Sequence, residues 1–244
     1  MAHIVELKEV SFSAQNRKLI RNISFEFEAG KITALVGPSG CGKSTVLKLA
    51  AGLLVPDEGE VLFYGKNVAL MNRAENLEFR REGAVVFQDS ALWANQNLFQ
   101  ILELPLRIHY PKMDRRDREQ RVEEVIAKVG YKKDLGIRPA QLSRGEQKLL
   151  AFARALICRP NLLYLDEWTE SLDENSSRRL IDLVKAHRSA GKTTILVSHD
   201  MRIIHELADT VVMILGGQMY LKVTKEQITE DEDLRRYVEK GMQL

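Results

Sequence analysis

Val36-Gly37-Pro38-Ser39-Gly40-Cys41-Gly42-Lys43-Ser44-Thr45 is the stretch that decides the fold. It follows a continuous apolar run, Ile32 to Val36, of the length of a buried strand. It precedes Val46, Leu47, Leu49, Ala50 and Leu53, which are apolar at helical spacing. Strand, glycine-rich loop and helix in that order give the pattern G-x-x-x-x-G-K-[ST] its physical meaning. Glycines let successive backbone N–H groups curl around phosphate oxygens, and the helix N-terminus adds partial positive charge. Residues Gly37, Pro38, Ser39, Gly40, Cys41, Gly42, Lys43, Ser44 and Thr45 are therefore expected to cradle a triphosphate. Lys43 would reach the β- and γ-phosphates, and the Ser44 hydroxyl would ligate Mg²⁺. A glycine-rich turn with a chance lysine is the plainer alternative, and the flanking elements weigh against it.

Working outward, Leu162-Leu-Tyr-Leu-Asp166-Glu167 is an apolar strand ending in two carboxylates. Ligands of open parallel sheets bind at the C-terminal ends of strands, so Asp166 is assigned to Mg²⁺ and Glu167 to polarising an attacking water as general base. Ser198-His199-Asp200 ends the strand read over 193–198, where His199 can donate to a γ-phosphate. Gln88 ends the strand read over 84–87, where an amide can touch both Mg²⁺ and the water. An acid pair or a lone histidine after a strand is ordinarily a solvated turn; the phosphate loop reverses those odds.

The chain of 244 residues is 45% hydrophobic and 29% charged with net charge +2, a globular balance that offers no strongly basic face for nucleic acid. Cys41 and Cys158 do not make a disulfide framework, which points to a reducing compartment. The N-terminus does not read as a signal peptide. No apolar run approaches the roughly 20 residues of a membrane helix, so a membrane role would need another chain.

Residues 3–10 and 22–28 alternate as antiparallel strands, with Ile23, Phe25 and Phe27 on one face. Strands at 162–166, 193–198 and 211–215 separated by helices argue for a parallel sheet. Gly216-Gly217 reads as a hairpin turn. The expected fold is α/β: a P-loop, RecA-like parallel-sheet core with an N-terminal antiparallel β-subdomain and an inserted α-helical subdomain. The expected organisation is one domain over 1–244, with the core at about 1–89 and 161–221, helical insertion at about 90–160, and a charged, partly helical tail at 222–244.

Leu142-Ser143-Arg144-Gly145-Glu146-Gln147 precedes a helix running through Leu156, and Ser143 with Glu146 forms an S-x-x-E capping box, a second helix start able to receive an anion. The order of phosphate loop, Gln88, capped helix, Asp166-Glu167 and His199 resembles the ABC ATPase family over essentially the whole chain. The resemblance implies an ATPase using ATP and Mg²⁺, with two copies of the chain sandwiching two nucleotides. Ser143 and Gly145 of one copy would touch the γ-phosphate held by the other, and Asp173 would be a dimer contact. Five positions depart from the family pattern. Arg144 and Glu146 alter the usual L-S-G-G-Q, Trp168 replaces a proline, and Glu170 replaces a serine. The stacking aromatic expected for adenine falls on Ala14, with Phe12 as a candidate substitute or a core residue.

After Gln88 the chain reads Asp-Ser-Ala-Leu-Trp-Ala-Asn-Gln-Asn-Leu-Phe and later Leu104-Pro105-Leu106-Arg107. This resembles the ATPases of Mla-type, MCE-associated phospholipid transporters, as do Val10-Ser-Phe-Ser and Leu234-Arg-Arg-Tyr-Val. That likeness implies a permease docking near 88–107, an MCE lipid-binding protein, a small regulatory subunit, and a place on the cytoplasmic face of the inner membrane. Transport of another cargo (amino acid, lipoprotein or drug) and a soluble non-transport ATPase are the competing readings. Of the two tryptophans, Trp93 is the better candidate for a partner contact than Trp168. Cys41 is a candidate redox thiol or simply a small tolerated side chain, and Cys158 reads as core.

Overall fold

The computed structural model describes residues 3–241. The chain divides into two compact units, Met1–Asn76 with His187–Leu244, and Leu77–Ala186.

The first unit opens with β1 (His3–Ala14) and β2 (Arg17–Glu28). Their two-residue turn places Gln15 and Asn16 at φ 50 and 59. Both residues left-handed is the I′ geometry, whose twist suits a tight hairpin. Ile23, Phe25 and Phe27 are buried between exposed neighbours, as their alternation predicts. Both strands outrun that alternation. The pairing is irregular between Leu7 and Val10, and Glu9 and Asn22 both have φ 50. Such bulges break the period of two without ending the ladder.

β3 (Ile32–Val36) is buried at every position, and α1 (Lys43–Ala50) buries Val46, Leu47, Leu49 and Ala50. Leu53, read as part of the same helical face, instead lies past the helix end and is 41% exposed. β4 (Glu58–Phe63) and β5 (Lys66–Asn67) complete an antiparallel sheet of order β2-β1-β4-β5. α2 (Arg73–Glu82) crosses into the second unit.

There β6 (Gly83–Val86) leads to α3 (Leu98–His109), α4 (Arg115–Val129), α5 (Arg144–Leu156) and β7 (Leu162–Asp166), and α6 (Glu174–Ser189) leads back out. Local chemistry sets each helix boundary. Asn97 and Gln100 form a capping box for α3. Asp114 caps α4, which Gly130 ends in the left-handed conformation. The charged stretch 115–129 buries Val122, Val125 and Val129 on one stripe and is otherwise a solvated face. β6 and β7 pair in parallel, Val86 opposite Leu165.

The first unit resumes with β8 (Thr193–Val197), α7 (Met201–Leu207), β9 (Thr210–Leu215), β10 (Gln218–Thr224), α8 (Lys225–Glu230) and α9 (Glu232–Gly241). β3 pairs in parallel with β8 on one side and β9 on the other, and β10 folds back antiparallel through Gly216-Gly217. β3 is thus a central strand, and its C-terminal end is the position where open parallel sheets present a ligand site. Of the tail read over 222–244, the first residues still belong to β10, α8 and α9 follow, and 242–244 lie outside the described residues; Tyr237 stacks on Tyr220 at 6.2 Å.

Candidate functional site

In the first unit the chain leaves β3 at Gly37 with φ +140, and a Cβ there would stand 2.2 Å from the Ile214 carbonyl oxygen. Only glycine fits that approach. Gly42 at φ +110 abuts Ile20, and Gly217 abuts the Leu19 carbonyl. Hydrogen bonds from Gly217 N to Cys41 O (3.1 Å) and from Arg21 N to Gly217 O (2.8 Å) brace the loop against the β9–β10 turn and β2. The loop is therefore held from outside by backbone.

α1 begins without a side-chain cap and without an acidic residue in its first turn. A helix start of this kind offers its N–H groups and partial charge to an anion. Lys43 Nζ donates to Gly37 O and Pro38 O, each at 2.8 Å. The ammonium thus curls over its own loop, a posture that keeps the cation at the cradle. Gly37→Ala is expected to destabilise the fold by about 1–3 kcal/mol through overpacking and to abolish nucleotide affinity. A melt with a fluorescent-nucleotide titration reads both, and wild-type affinity would show that the loop tolerates a Cβ.

His199 is exposed just past β8, the register neighbour of β3 (Leu35 opposite Val197), so loop and histidine leave adjacent strands of one unit. Beyond it Asp200 caps α7 through Arg202 N at 2.9 Å. The Arg202 side chain beside it holds its carboxyl below the usual range. Phe12 is half-buried opposite Ile20, and Ala14 closes the hairpin opposite Arg17. Burial pushes the Cys41 thiol up, partly offset by Lys43, which disfavours the reactive thiolate. Cys158 is only half-buried rather than core, with its thiol pushed up to about 11, mainly by burial.

In the second unit the parallel pair β6–β7 sets Gln88 and the acid pair at neighbouring strand ends. Asp166 is 3% exposed. Glu167 adopts φ 44, a left-handed conformation that a side chain resists and that clusters at functional positions. Gln88 Nε2 donates to Glu170 Oε2 at 3.2 Å, which leaves the amide oxygen as the end available to a cation.

Lys148 was not singled out by sequence, yet it is 4% exposed. Its ammonium donates to Phe87 O at 3.3 Å, Gln88 O, and Glu167 O at 3.1 Å. Burial lowers its pKa, with Glu170, Asp166, Glu167 and Asp89 opposing. The available signal was a lysine one helical turn before Ala151 and Phe152 on the buried stripe of α5.

The capping box of α5 forms as read: Glu146 N donates to Ser143 Oγ at 3.3 Å, and Ser143 N donates to Glu146 Oε2 at 2.9 Å. Glu146 also pairs with Lys133 at 2.6 Å, which with Ser143 N holds its carboxyl low. That gives the unusual glutamate a local role. Arg144 is exposed at the first helical position. A Cβ at Gly145 would come 2.9 Å from Ser171 O, so the helix start packs on the turn before Asp173. Asp173 accepts from Ser176 N (2.9 Å) and Oγ (2.6 Å), which holds its carboxyl low.

Trp168 corrects its reading as a partner contact. It is 0% exposed and packs against Phe152 at 5.6 Å. Trp93 is 45% exposed, with the Arg154 guanidinium 5.5 Å from its ring centroid. Arg154 also donates to Ala91 O at 2.6 Å and Ser90 O at 3.1 Å.

Among the described residues no group of three or more His, Cys, Asp or Glu could hold a metal, and no helix is long and apolar enough to cross a membrane.

The family model for ABC transporters matches residues 20–170. The intermembrane phospholipid transport ATP-binding protein MlaF of Haemophilus influenzae is 32% identical, covering 96% of this chain and 88% of that protein. Its namesake from Escherichia coli K12 is 35% identical over 86% and 78%. The nickel import ATP-binding protein NikE of Shigella flexneri is 32% identical over 93% and 87%. A solved dimeric, post-hydrolysis state of the ATP-binding cassette MJ0796 bound to ADP and Pi superposes with TM-score 0.84 and 27% identity, over 91% of this chain and 99% of that one.

Proposed function

We propose, from the premise that this chain belongs to the ABC transporter ATPase family, that its ATP hydrolysis drives phospholipid movement in an Mla-type system. The chain is an ATP-binding subunit and an ATPase of the α/β P-loop class. The observation that carries the chemistry is the phosphate loop at the end of central strand β3, with Lys43 curled over it.

In this reading Gly37–Thr45 bind the triphosphate of ATP, and Lys43 exchanges its loop carbonyls for phosphate oxygens. Glu167 takes the proton of the attacking water while His199 and Gln88 position the γ-phosphate and the water. Ser44, Gln88 and Asp166 are the proposed donors for Mg²⁺. One carboxylate with neutral oxygens suits a cation whose remaining ligands are water and substrate phosphates, and no all-protein cluster is needed. Bound there, Mg²⁺ would neutralise charge developing on the phosphate oxygens. A second copy of the chain supplies Ser143 and Gly145 to the γ-phosphate, with Asp173 at the dimer contact. The dimeric state of the MJ0796 cassette supports this arrangement. A ligand shared by two copies makes assembly depend on the γ-phosphate, and hydrolysis reverses it.

Likeness to two MlaF proteins over most of the chain supports phospholipid as cargo. The 32% identity to a nickel importer, equal to that of the Haemophilus influenzae MlaF, keeps other cargo as the second reading. The segment 88–107 is the proposed dock for a membrane permease, which would hold the chain at the cytoplasmic face of the inner membrane. An MCE lipid-binding protein and a small regulatory subunit complete the proposed complex. The exposed Trp93, in a loop where Ser90 and Ala91 have φ 62 and 45, supports that dock.

A tagged pull-down from detergent-solubilised native membranes, with mass spectrometry of proteins and lipids, tests the assignment. A permease, an MCE protein and phospholipid are expected, and Trp93→Ala is expected to lose the permease. A different permease, or none, would overturn the lipid reading and leave the ATPase intact. Full permease recovery with Trp93→Ala would exclude that side chain from the dock.

A further inference from the structure

We propose that Lys148 is a positioning residue that fastens the general base and the Gln88 strand end to the capped helix α5, so that contact at the helix start sets the geometry of hydrolysis. This rests on the reading of Glu167 as base and of Ser143 and Gly145 as nucleotide contacts. An ammonium has three protons to donate. Here three backbone carbonyls accept them, those of Phe87, Gln88 and Glu167. They lie 61, 60 and 19 residues away along the chain, so one side chain ties two distant segments, 87–88 and 167, to α5. The carboxylates around it act through space while its bonds go to backbone.

The accepted atoms identify the role. Lys148 holds the peptide units that carry Gln88 and Glu167. Glu167 sits at φ 44, a conformation that must be imposed by its surroundings. The Lys148 bond to its carbonyl is one such constraint. On the same helix, Arg154 grips Ser90 O and Ala91 O two turns further on. The segment after β6 and the carbonyl of the base are therefore tied to the element whose first turn carries Ser143 and Gly145. A shift of α5 as its start meets a phosphate would be carried to the base through Lys148. Within the assembled dimer this would couple one nucleotide site to the other.

The test compares the full-length chain with Lys148→Met and Lys148→Arg, alone and in its membrane complex, below the melting temperature of each. Lys148→Met is expected to lower kcat by about 100-fold, the scale of an ångström misplacement of a catalytic group. The KM for ATP should stay within about twofold, because the phosphate loop is untouched. Lys148→Arg is expected to recover part of the lost kcat. Lys148→Gln, which keeps amide donors without charge, replaces the Met variant if that does not fold. A kcat that falls only with the folded fraction, or Met and Arg variants equal in kcat, would overturn the proposal. Glu167→Gln is measured alongside. If it hydrolyses ATP at the wild-type rate, the reading of the base fails; if it is inactive while folded Lys148→Met keeps full kcat, the positioning role alone fails. Adding Lys148→Met to Glu167→Gln should cost little further rate, since both act on one step.

Discussion

Glu167→Gln is expected to lower steady-state ATP hydrolysis by about 10²–10⁴-fold while leaving ATP binding intact, the range associated with loss of a general base. The amide matches the carboxylate in shape but cannot accept the proton of the attacking water. The triphosphate contacts proposed for Gly37–Thr45 are left in place by the change. With ATP bound and not cleaved, the γ-phosphate of the proposed sandwich would continue to hold two copies together. The variant should therefore run as a dimer in ATP and a monomer in ADP on size-exclusion chromatography with light scattering. Wild-type hydrolysis would remove Glu167 from the base role. Inactive protein that stays monomeric in saturating ATP would count against the two-copy sandwich and leave the base intact.

Trp168→Ala is expected to destabilise the chain by about 3–5 kcal/mol, the range for truncating a buried large aromatic. Trp168 is fully buried and packs on Phe152 of α5. Its removal leaves a void beside Glu167, which holds a left-handed backbone. A melting temperature lower by roughly 10 °C follows for a chain of this size. The indole nitrogen has no hydrogen-bond partner among the described residues, so Trp168→Phe removes a polar atom and should cost much less. Equal melting temperatures for Trp168→Ala and wild type would show that the site collapses without penalty. The same two variants separate packing from a partner role, because a docking contact would be lost without any change in the melt.

What sequence alone determined is what lies close together along the chain. The phosphate loop runs from the end of a strand through a turn to a helix start within Val36–Thr45, and its glycines take the positive φ that the turn needs. The α5 cap is equally local: Ser143 and Glu146 are three residues apart and bond reciprocally. Alternation at Ile23, Phe25 and Phe27 marked a strand face, because side chains repeat every two residues there.

Elsewhere local pattern and tertiary packing diverge. Leu53 continued a helical period after the chain had turned, and bulges at Glu9 and Asn22 carried the strands past their visible alternation. Burial of Trp168, the bond from Gln88 to Glu170 across 82 residues, and the Lys148 clamp were decided only by folding. Each depends on which distant segment meets a side chain in space. A lysine reads as solvated until three carbonyls converge on it, and a tryptophan reads as a contact until a core closes over it.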